Sequence, residues 1–278
     1  MISSLIVYEE TDLVAKKVSK ILGCIVGNAK VCGLNEVTYD RSYRNLLVIF
    51  SNEQVDVVKR LFSVMDKLKT YHECNKTIVI ECGGHPQYEL YFASEMDDYY
   101  FILNKDKTYE IAAKIRETCS IEEKQMPEEE LKQEIYHFLK EHNTGALATG
   151  INYQVRCTPI EYLFFNNCFY LISEGGMKFS GLLRNDQVSF SVFESYSSMN
   201  ELMGMQVSGK ASVIERDGKE FLEVFEKRGY LAETVEHLPI DMHIIKIVPN
   251  RYEFLCSDLK KKGYASKQIM VVNENHSR

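Results

Sequence analysis

A serine, two adjacent glycines and a lysine lie close together where an apolar run gives way to a predicted short helix. Ser173, Gly175, Gly176 and Lys178 follow the run 168–172. Backbone N–H groups at a helix start attract negative charge, and glycine lets the backbone approach a ligand closely. The hydroxyl and the ammonium group would add a neutral and a charged donor. These residue types suit the binding of an anion such as phosphate.

Each of these residues also has an ordinary structural interpretation. Lys178 could be a solvated lysine at a helix start, Ser173 could form the turn at the strand end, and the glycine pair is first of all a turn. Arg156, on the preceding strand, is an exposed strand residue or a second contact to the anion. The coincidence of these residues in one region favours a binding site.

The second half of the chain predicts an all-β barrel with a few helices. Its short apolar runs are closely spaced, and several alternate apolar and polar residues, which is typical of an antiparallel sheet with one buried face. Asn166-Asn167 lies between two runs and predicts a hairpin turn. The predicted strands are 146–149, 162–165, 168–172, 188–193, 206–214 and 243–248. A helix is predicted from Pro127 to about His142, and another over 219–228.

The first half has a different organisation, in which strands and helices alternate. This alternation predicts an α/β domain with a mostly parallel sheet and helices on both sides. The predicted strands are 5–8, 46–50, 77–80 and 99–103, and the predicted helices are 11–22, 52–69 and 107–119. The charged stretch 121–130 is predicted to be a linker, so the expected domains are 1–120 and 131–278.

Composition narrows the classes of function. The 278 residues carry a formal charge of -7, which disfavours sequence-independent binding of nucleic acid because that needs a surplus of lysine and arginine. The eight cysteines form no C-x-x-C pair, so no metal site is predicted. The N-terminal segment lacks the features of a signal peptide, and no apolar run is long enough for a membrane span. We therefore expect a cytoplasmic protein that contacts neither nucleic acid nor membrane.

The order of motifs in the second half resembles the pyridoxamine 5′-phosphate oxidase-like flavoproteins, whose domain is an FMN-binding split barrel. In that family a hairpin is followed by a hydroxyl residue, a turn with glycine or serine, a lysine, a short helix and another strand. The segment 173–188 has these elements in this order. The strand 206–214 looks like the family's x-V-x-G-x-A-x-V strand, and 242–252 looks like its closing strand. The resemblance covers about residues 130 to 275.

The resemblance implies that the barrel binds FMN at the interface of a homodimer. The phosphate would lie at the serine–glycine–lysine segment, with Arg156 as a second contact. The isoalloxazine ring would lie on the barrel wall near Thr158 and Ile160. Gln206 would reach the ring from the partner subunit, although an outward-facing strand residue is the ordinary interpretation of this position. The cofactor-binding residues implied in this way are Arg156, Thr158, Pro159, Ile160, Ser173, Gly175, Gly176, Lys178 and Gln206.

An FMN-dependent oxidoreductase that moves electrons between a nicotinamide donor and a small acceptor is the function that the resemblance implies. No catalytic side chain is required, because the flavin carries the redox step. The chain has no tryptophan and lacks the family's C-terminal Arg-x-His pair, so oxidation of vitamin B6 is not expected. Met177 stands where a second basic residue is often found, so one phosphate contact is missing.

The alternative is a non-catalytic module that binds flavin or haem, with an N-terminal domain that contacts a partner. For haem, His237 and His243 are the candidate ligands, against a structural role in the barrel.

The first half resembles a flavodoxin-like domain that has lost its ligand loop. In flavodoxins the loop after the first strand holds the FMN phosphate with hydroxyls and amides. The loop here reads Glu9-Glu10-Thr11-Asp12, whose three carboxylates would repel a phosphate. A structural or dimerising role is therefore favoured over a second flavin site. The segment Cys82-Gly-Gly-His85 is interpreted as a turn.

Overall fold

The computed structural model of the protein describes residues 4–39, 42–51, 55–71, 76–83, 99–103, 108–119, 124–216 and 218–272. The chain divides into two compact units, residues 1–122 and residues 123–278. Each unit has its own hydrophobic core.

The N-terminal unit is a parallel sheet with helices on both faces. Its strands are β1 (Ser4–Tyr8), β2 (Ala29–Gly33), β3 (Asn45–Ser51), β4 (Lys76–Cys82) and β5 (Tyr99–Leu103). Its helices are α1 (Leu13–Val26), α2 (Val55–Tyr71) and α3 (Thr108–Cys119). The strand order is β2-β1-β3-β4-β5, and every pairing is parallel. This is the order of flavodoxin-like sheets.

Burial explains why these strands are so apolar. The first six residues of β3 are all buried, as expected of a strand covered on both faces. Leu22 of α1 and Ile115 of α3 belong to the core on one face, and Leu61 and Met65 of α2 belong to the core on the other. The prediction of an α/β domain with a parallel sheet is confirmed.

The C-terminal unit is a curled antiparallel sheet that forms a half-barrel. Its strands are β6 (Thr144–Ile151), β7 (Gln154–Glu161), β8 (Leu163–Phe165), β9 (Cys168–Ser173), β10 (Gln187–Phe193), β11 (Met203–Val213), β12 (His243–Cys256) and β13 (Lys267–Val271). The order is β7-β6-β10-β11-β12-β9-β8, and β13 also pairs with β12. The predicted all-β class is confirmed.

Within the described part of the C-terminal unit, four α-helices accompany the half-barrel. They are α4 (Glu128–Glu141), α5 (Lys178–Leu182), α6 (Lys219–Lys227) and α7 (Ala232–Glu236). α4 buries Leu131, Ile135, Phe138 and Leu139, which recur at helical spacing and pack in the core of the half-barrel. α5 is a single turn that directly follows the predicted anion-binding segment.

Two tight turns fix the register of the strands that carry the candidate site. Asn166 and Asn167 have φ of 50° and 60°, which a two-residue hairpin of type I′ requires, and the predicted hairpin is confirmed. Asn152 has a φ of 52° in the turn between β6 and β7. That turn sets Arg156 opposite Thr149.

None of the helices within the described ranges is both long enough and apolar enough to cross a membrane.

Candidate functional site

The predicted anion-binding segment is a compact turn between β9 and α5. Ser173 is the last residue of β9 and is buried, and its Oγ accepts a hydrogen bond from Gly175 N at 3.1 Å. Gly175 and Gly176 have φ of 122° and 104°, a conformation that L side chains rarely adopt. The glycine pair is therefore required by the backbone of this turn.

Lys178 belongs to this turn, and Arg156 on β7 is near enough to influence its charge. Lys178 Nζ donates to Gly175 O at 2.5 Å, which holds the ammonium group against the glycine pair. Burial lowers the pKa of Lys178, and the nearby Arg156 guanidinium lowers that pKa further, while Glu174 acts in the opposite direction. Within the part of the chain that the structure describes, neither Lys178 nor Arg156 forms an ion pair.

A cavity of about 220 Å³ lies between the β6–β7 hairpin and α5. Arg156 lines it from the hairpin, and Met177 and Ser180 line it from the start of the helix. The remaining lining residues are Thr149, Gly150, Ile151, Gln154, Val155 and Gly181. The cavity can therefore present a guanidinium, a hydroxyl and backbone amides to a small anionic group.

Successive side chains of β7 point to opposite faces of the sheet, so the residues predicted to contact the flavin ring lie on two different faces. Thr158 pairs with Leu147, a buried core residue, and Arg156 and Ile160 share that face because they are two residues away on either side. Ile160 packs against the core. Pro159 is exposed on the opposite face and is not brought together with the others.

Within one chain, Gln206 lies apart from the turn between β9 and α5 that is predicted to bind the phosphate. It is exposed on β11, between Ser191 of β10 and Glu253 of β12. All three residues line a second cavity, of about 430 Å³. This cavity and the 220 Å³ cavity have no lining residue in common.

Thr149 is a site residue that the sequence did not indicate. Only 4% of it is exposed, it lines the 220 Å³ cavity, and its hydroxyl makes no hydrogen bond to another described residue. The sequence does place Thr149 on a predicted strand. Thr149 lies next to Arg156 because of the register between β6 and β7. The turn at Asn152 is the sequence feature that could have indicated this register.

The two candidate haem ligands differ in their surroundings. His243 is exposed, pairs with Ser173 across β9 and β12, and has its ring 5.5 Å from that of Phe179 in an edge-on arrangement. His237 is exposed at the end of α7, with Nδ1 2.7 Å from the carbonyl of Glu233. Of these two histidines, only His243 is therefore close to the predicted phosphate-binding turn.

In the loop after β1 of the N-terminal unit, backbone amides donate hydrogen bonds to carboxylates of the same loop. Glu9 Oε2 accepts hydrogen bonds from Thr11 N at 2.7 Å and Asp12 N at 3.2 Å, and also from the Thr11 hydroxyl. Asp12 caps α1 by accepting from Ala15 N at 2.8 Å. The donors that would face a phosphate in a flavodoxin are thus taken by side chains of this chain. Of the predicted turn after β4, Gly84 and His85 lie outside the described residues.

We expect Glu9→Gln to destabilise the N-terminal unit by about 1–3 kcal/mol, because hydrogen bonds to a charged acceptor are worth about that much. Glu10→Gln is the matched control. Glu10 Oε1 accepts from Asn35 N, but Oε2 is buried without a partner among the residues that the structure describes, so loss of the charge should cost less than about 1 kcal/mol. Hydrogen exchange of β1 and β3 peptides measures both effects. Equal protection in the two variants would contradict the role given to Glu9.

Among the described residues, no group of three or more histidine, cysteine, aspartate or glutamate side chains is arranged to hold a metal ion.

Comparison with solved structures finds several proteins that are similar to part of the chain. A FAD-binding protein from Mesorhizobium loti is 18% identical, covers 44% of this chain and 89% of its own length, and has a TM-score of 0.37. The heme storage protein HutZ from Vibrio cholerae is 21% identical, with 43% and 89% coverage and a TM-score of 0.36. ChuZ from Campylobacter jejuni is 17% identical, with 61% and 69% coverage and a TM-score of 0.42. No curated protein matches the chain.

The family model for pyridoxamine 5′-phosphate oxidase matches residues 131–256, which is under half of the chain. The match begins in α4 and ends with β12, so it includes the turn between β9 and α5, the whole lining of the 220 Å³ cavity, and the lining of the 430 Å³ cavity except Lys267. Over residues 131–256 the chain therefore matches the pyridoxamine 5′-phosphate oxidase family, as its sequence motifs predict.

Proposed function

We propose that the C-terminal unit binds FMN and acts as an FMN-dependent oxidoreductase, working as a homodimer. The observation that carries the proposal is a pair of cations, Arg156 on β7 and Lys178 at the start of α5. Arg156 and Lys178 are close enough for the one to lower the pKa of the other, and neither has an ion-pair partner among the described residues. A bound dianion would relieve their repulsion.

The shape and chemistry of the turn fit a phosphate group. The glycine pair leaves the backbone open beside Lys178, and a Cβ added to Gly175 would meet no heavy atom within 4 Å. Arg156 can donate two parallel hydrogen bonds to a phosphate, whereas Lys178 contributes a point charge. In the bound state Ser173 and Lys178 would keep the turn in place, while Arg156 and Thr149 contact the anion from the hairpin.

The face of β7 that carries Arg156 offers a surface for the flavin ring. Thr158 and Ile160 continue from Arg156 along this face, and the partly buried Ile160 packs against the core. The flavin supplies the electron-transfer chemistry when bound, and the protein supplies binding, orientation and exclusion of water. A nicotinamide donor and a small acceptor remain the proposed redox partners.

The outward face of the sheet supports the proposal of a homodimer. Val155, Ile269 and Val271 are 80%, 41% and 52% exposed on this face, which also carries Gln206. Apolar side chains exposed together on a strand surface are typical of protein contacts. A second copy that covers this face would bury these side chains, and the Gln206 of each copy would lie in the interface.

Titration of the purified protein with FMN tests the proposal. We expect one FMN for each chain, flavin absorption bands in the complex, and bleaching of those bands when NADH is added without oxygen. Light scattering of the same sample should give the mass of two chains. The double variant Arg156→Gln, Lys178→Gln is the control and should lose most of the affinity. Equal FMN binding by the control variant, or no binding by the wild type, would contradict the proposal.

A haem-binding carrier is the second candidate, and His243 is the observation that favours it. Its imidazole is exposed beside Ser173 and Phe179, so a planar ligand at the seat could be reached from this side. Addition of haem should then give a Soret band that shifts in His243→Ala and not in His237→Ala. The same band in wild type and both variants would exclude His243 as a ligand.

A further inference from the structure

The 220 Å³ cavity is the space between two separate elements of the C-terminal unit. Most of its lining, residues 149–151 and 154–156, belongs to the tip of the β6–β7 hairpin. The rest belongs to α5 or to Met177, the residue before this helix. Arg156 is on the hairpin and Lys178 is on the helix. The distance between these two cations therefore depends on how the hairpin tip is held against α5.

Pairing with β10 does not reach the hairpin tip. β10 pairs with β6 over residues 146–148, which lie opposite 189–191. Among the described residues, 149–151 of β6 pair only with β7. A hairpin that extends past its neighbouring strand has fewer hydrogen bonds to keep it in place, and such regions open more easily than the core of a sheet. The tip, which carries Thr149 and Arg156, therefore needs another attachment.

The side chain of Asn185 supplies this attachment. Asn185 is half-buried between α5 and β10, and its backbone N donates to Gly181 O at 2.9 Å. Its Nδ2 donates to Gly150 O at 3.0 Å, and its Oδ1 accepts from Gln187 N at 3.1 Å. A carbonyl can only accept and a backbone N–H can only donate, so these two partners fix the orientation of the amide. Among the described residues, the bond to Gly150 is the only hydrogen bond between the hairpin and the segment 174–186.

A close contact sets the spacing at the same joint. A Cβ added to Gly181 of α5 would lie 3.2 Å from Thr149 Oγ1, 3.3 Å from Thr149 Cβ and 3.5 Å from Gly150 N. A side chain at this position would thus press the helix away from the hairpin, whereas glycine lets the two elements approach closely. Gly181 permits the short distance, and the Asn185 amide holds the elements at it.

We propose that Asn185 is a positioning residue for the anion-binding cavity. It acts through Arg156 and Thr149, which the hairpin carries. It does not act through Lys178, because the hydrogen bond from Lys178 to Gly175 O already holds that ammonium group at the turn between β9 and α5. The inference deepens the proposed function and rests on it, since the anion is the phosphate of FMN.

Hydrogen exchange of the full chain without ligand tests the attachment. Asn185→Ala removes both side-chain bonds, whereas Asn185→Asp keeps the oxygen that accepts from Gln187 N and loses the donor to Gly150 O. We expect peptides within 149–156 to exchange at least about five times faster in both variants. Tyr162→Phe is the control, because it also removes one side-chain hydrogen bond to a backbone carbonyl, outside the cavity lining. Wild-type protection in Asn185→Asp, or an equal increase in the control, would overturn the proposal.

The coupling between Asn185 and each cation tests how the residue acts. FMN affinity is measured by titration of Asn185→Ala, Arg156→Gln, Lys178→Gln and the two double variants that contain Asn185→Ala. We expect Asn185→Ala alone to weaken binding about fivefold. Arg156→Gln should cost at least about three times less affinity in the Asn185→Ala background than in the wild type, because residues that act together are not additive. Lys178→Gln should cost the same in both backgrounds.

The outcomes separate this inference from the proposed function. Unchanged FMN affinity in Asn185→Ala, additive losses with Arg156→Gln, or equal coupling to both cations would overturn the positioning role. If the wild type binds no FMN, the proposed function fails, and the exchange of the hairpin alone decides whether Asn185 holds it.

Discussion

Reversal of the charge at Lys178 is expected to lower FMN affinity at least tenfold. Lys178 is held against the Gly175 carbonyl by its own ammonium group, next to the guanidinium of Arg156. In Lys178→Glu a carboxylate would face the phosphate dianion, and the turn would lose this hydrogen bond. A tenfold loss corresponds to about 1.4 kcal/mol of binding free energy. Isothermal titration measures it directly.

Lys219→Glu is a matched control for this change. Lys219 is the first residue of α6, as Lys178 is the first residue of α5, and it is exposed. Both variants alter net charge by the same amount and place an acidic residue in a first helical turn. We expect Lys219→Glu to bind FMN as the wild type does. Unchanged affinity in Lys178→Glu would remove Lys178 from the site.

Truncation of Phe190 should have the largest effect on stability. Phe190 is fully buried on β10, with its ring centroid 5.5 Å from that of Tyr162 and 5.1 Å from that of Phe169. Removal of a buried phenyl ring costs about 3–5 kcal/mol, from lost transfer free energy and the cavity left behind. Phe190→Ala should therefore lower the unfolding midpoint of the C-terminal unit in urea, as followed by circular dichroism.

Tyr153→Ala provides the comparison, because Tyr153 is fully exposed in the β6–β7 turn. Loss of an aromatic ring there should change the free energy of unfolding by less than about 0.5 kcal/mol. If the two variants unfold at the same urea concentration, the packing of Phe190 against Tyr162 and Phe169 does not stabilise the half-barrel as expected.

The classes of the two sheets could be predicted because burial leaves a direct trace in the sequence. A parallel strand covered on both faces is apolar throughout, as β3 is, and an antiparallel strand with one buried face alternates, as β11 does. The strands β2 and β13 were not predicted. β2 contains a lysine and a glycine, and in β13 the apolar Ile269 and Val271 are exposed while Gln268 is buried. Neither strand has the continuous apolar run, or the alternation with an apolar buried face, from which the other strands were predicted.

Only the part of the candidate site whose residues are neighbours in the sequence could be predicted. The sequence predicted a turn at four residues that are close to one another in the chain, namely Ser173, Gly175, Gly176 and Lys178. Thr149 joins Arg156 through cross-strand register, which depends on the turn at Asn152. The separation of Gln206 from the phosphate-binding turn is a property of the folded sheet that residue order does not contain. The opposite orientation of Pro159, in contrast, follows from the alternation of side chains along a strand.

If the C-terminal unit binds FMN as proposed, the carboxylate of Glu9 leads us to expect that the two units respond differently when the cofactor is scarce. Its oxygen satisfies the Thr11 and Asp12 amides from within the chain, so the N-terminal sheet is complete without any small molecule. The guanidinium and ammonium groups beside the glycine pair repel each other until an anion arrives, and a ligand that binds only the folded state adds to its stability. On heating with rising amounts of FMN, the melting temperature of the half-barrel should climb while that of the parallel sheet stays constant.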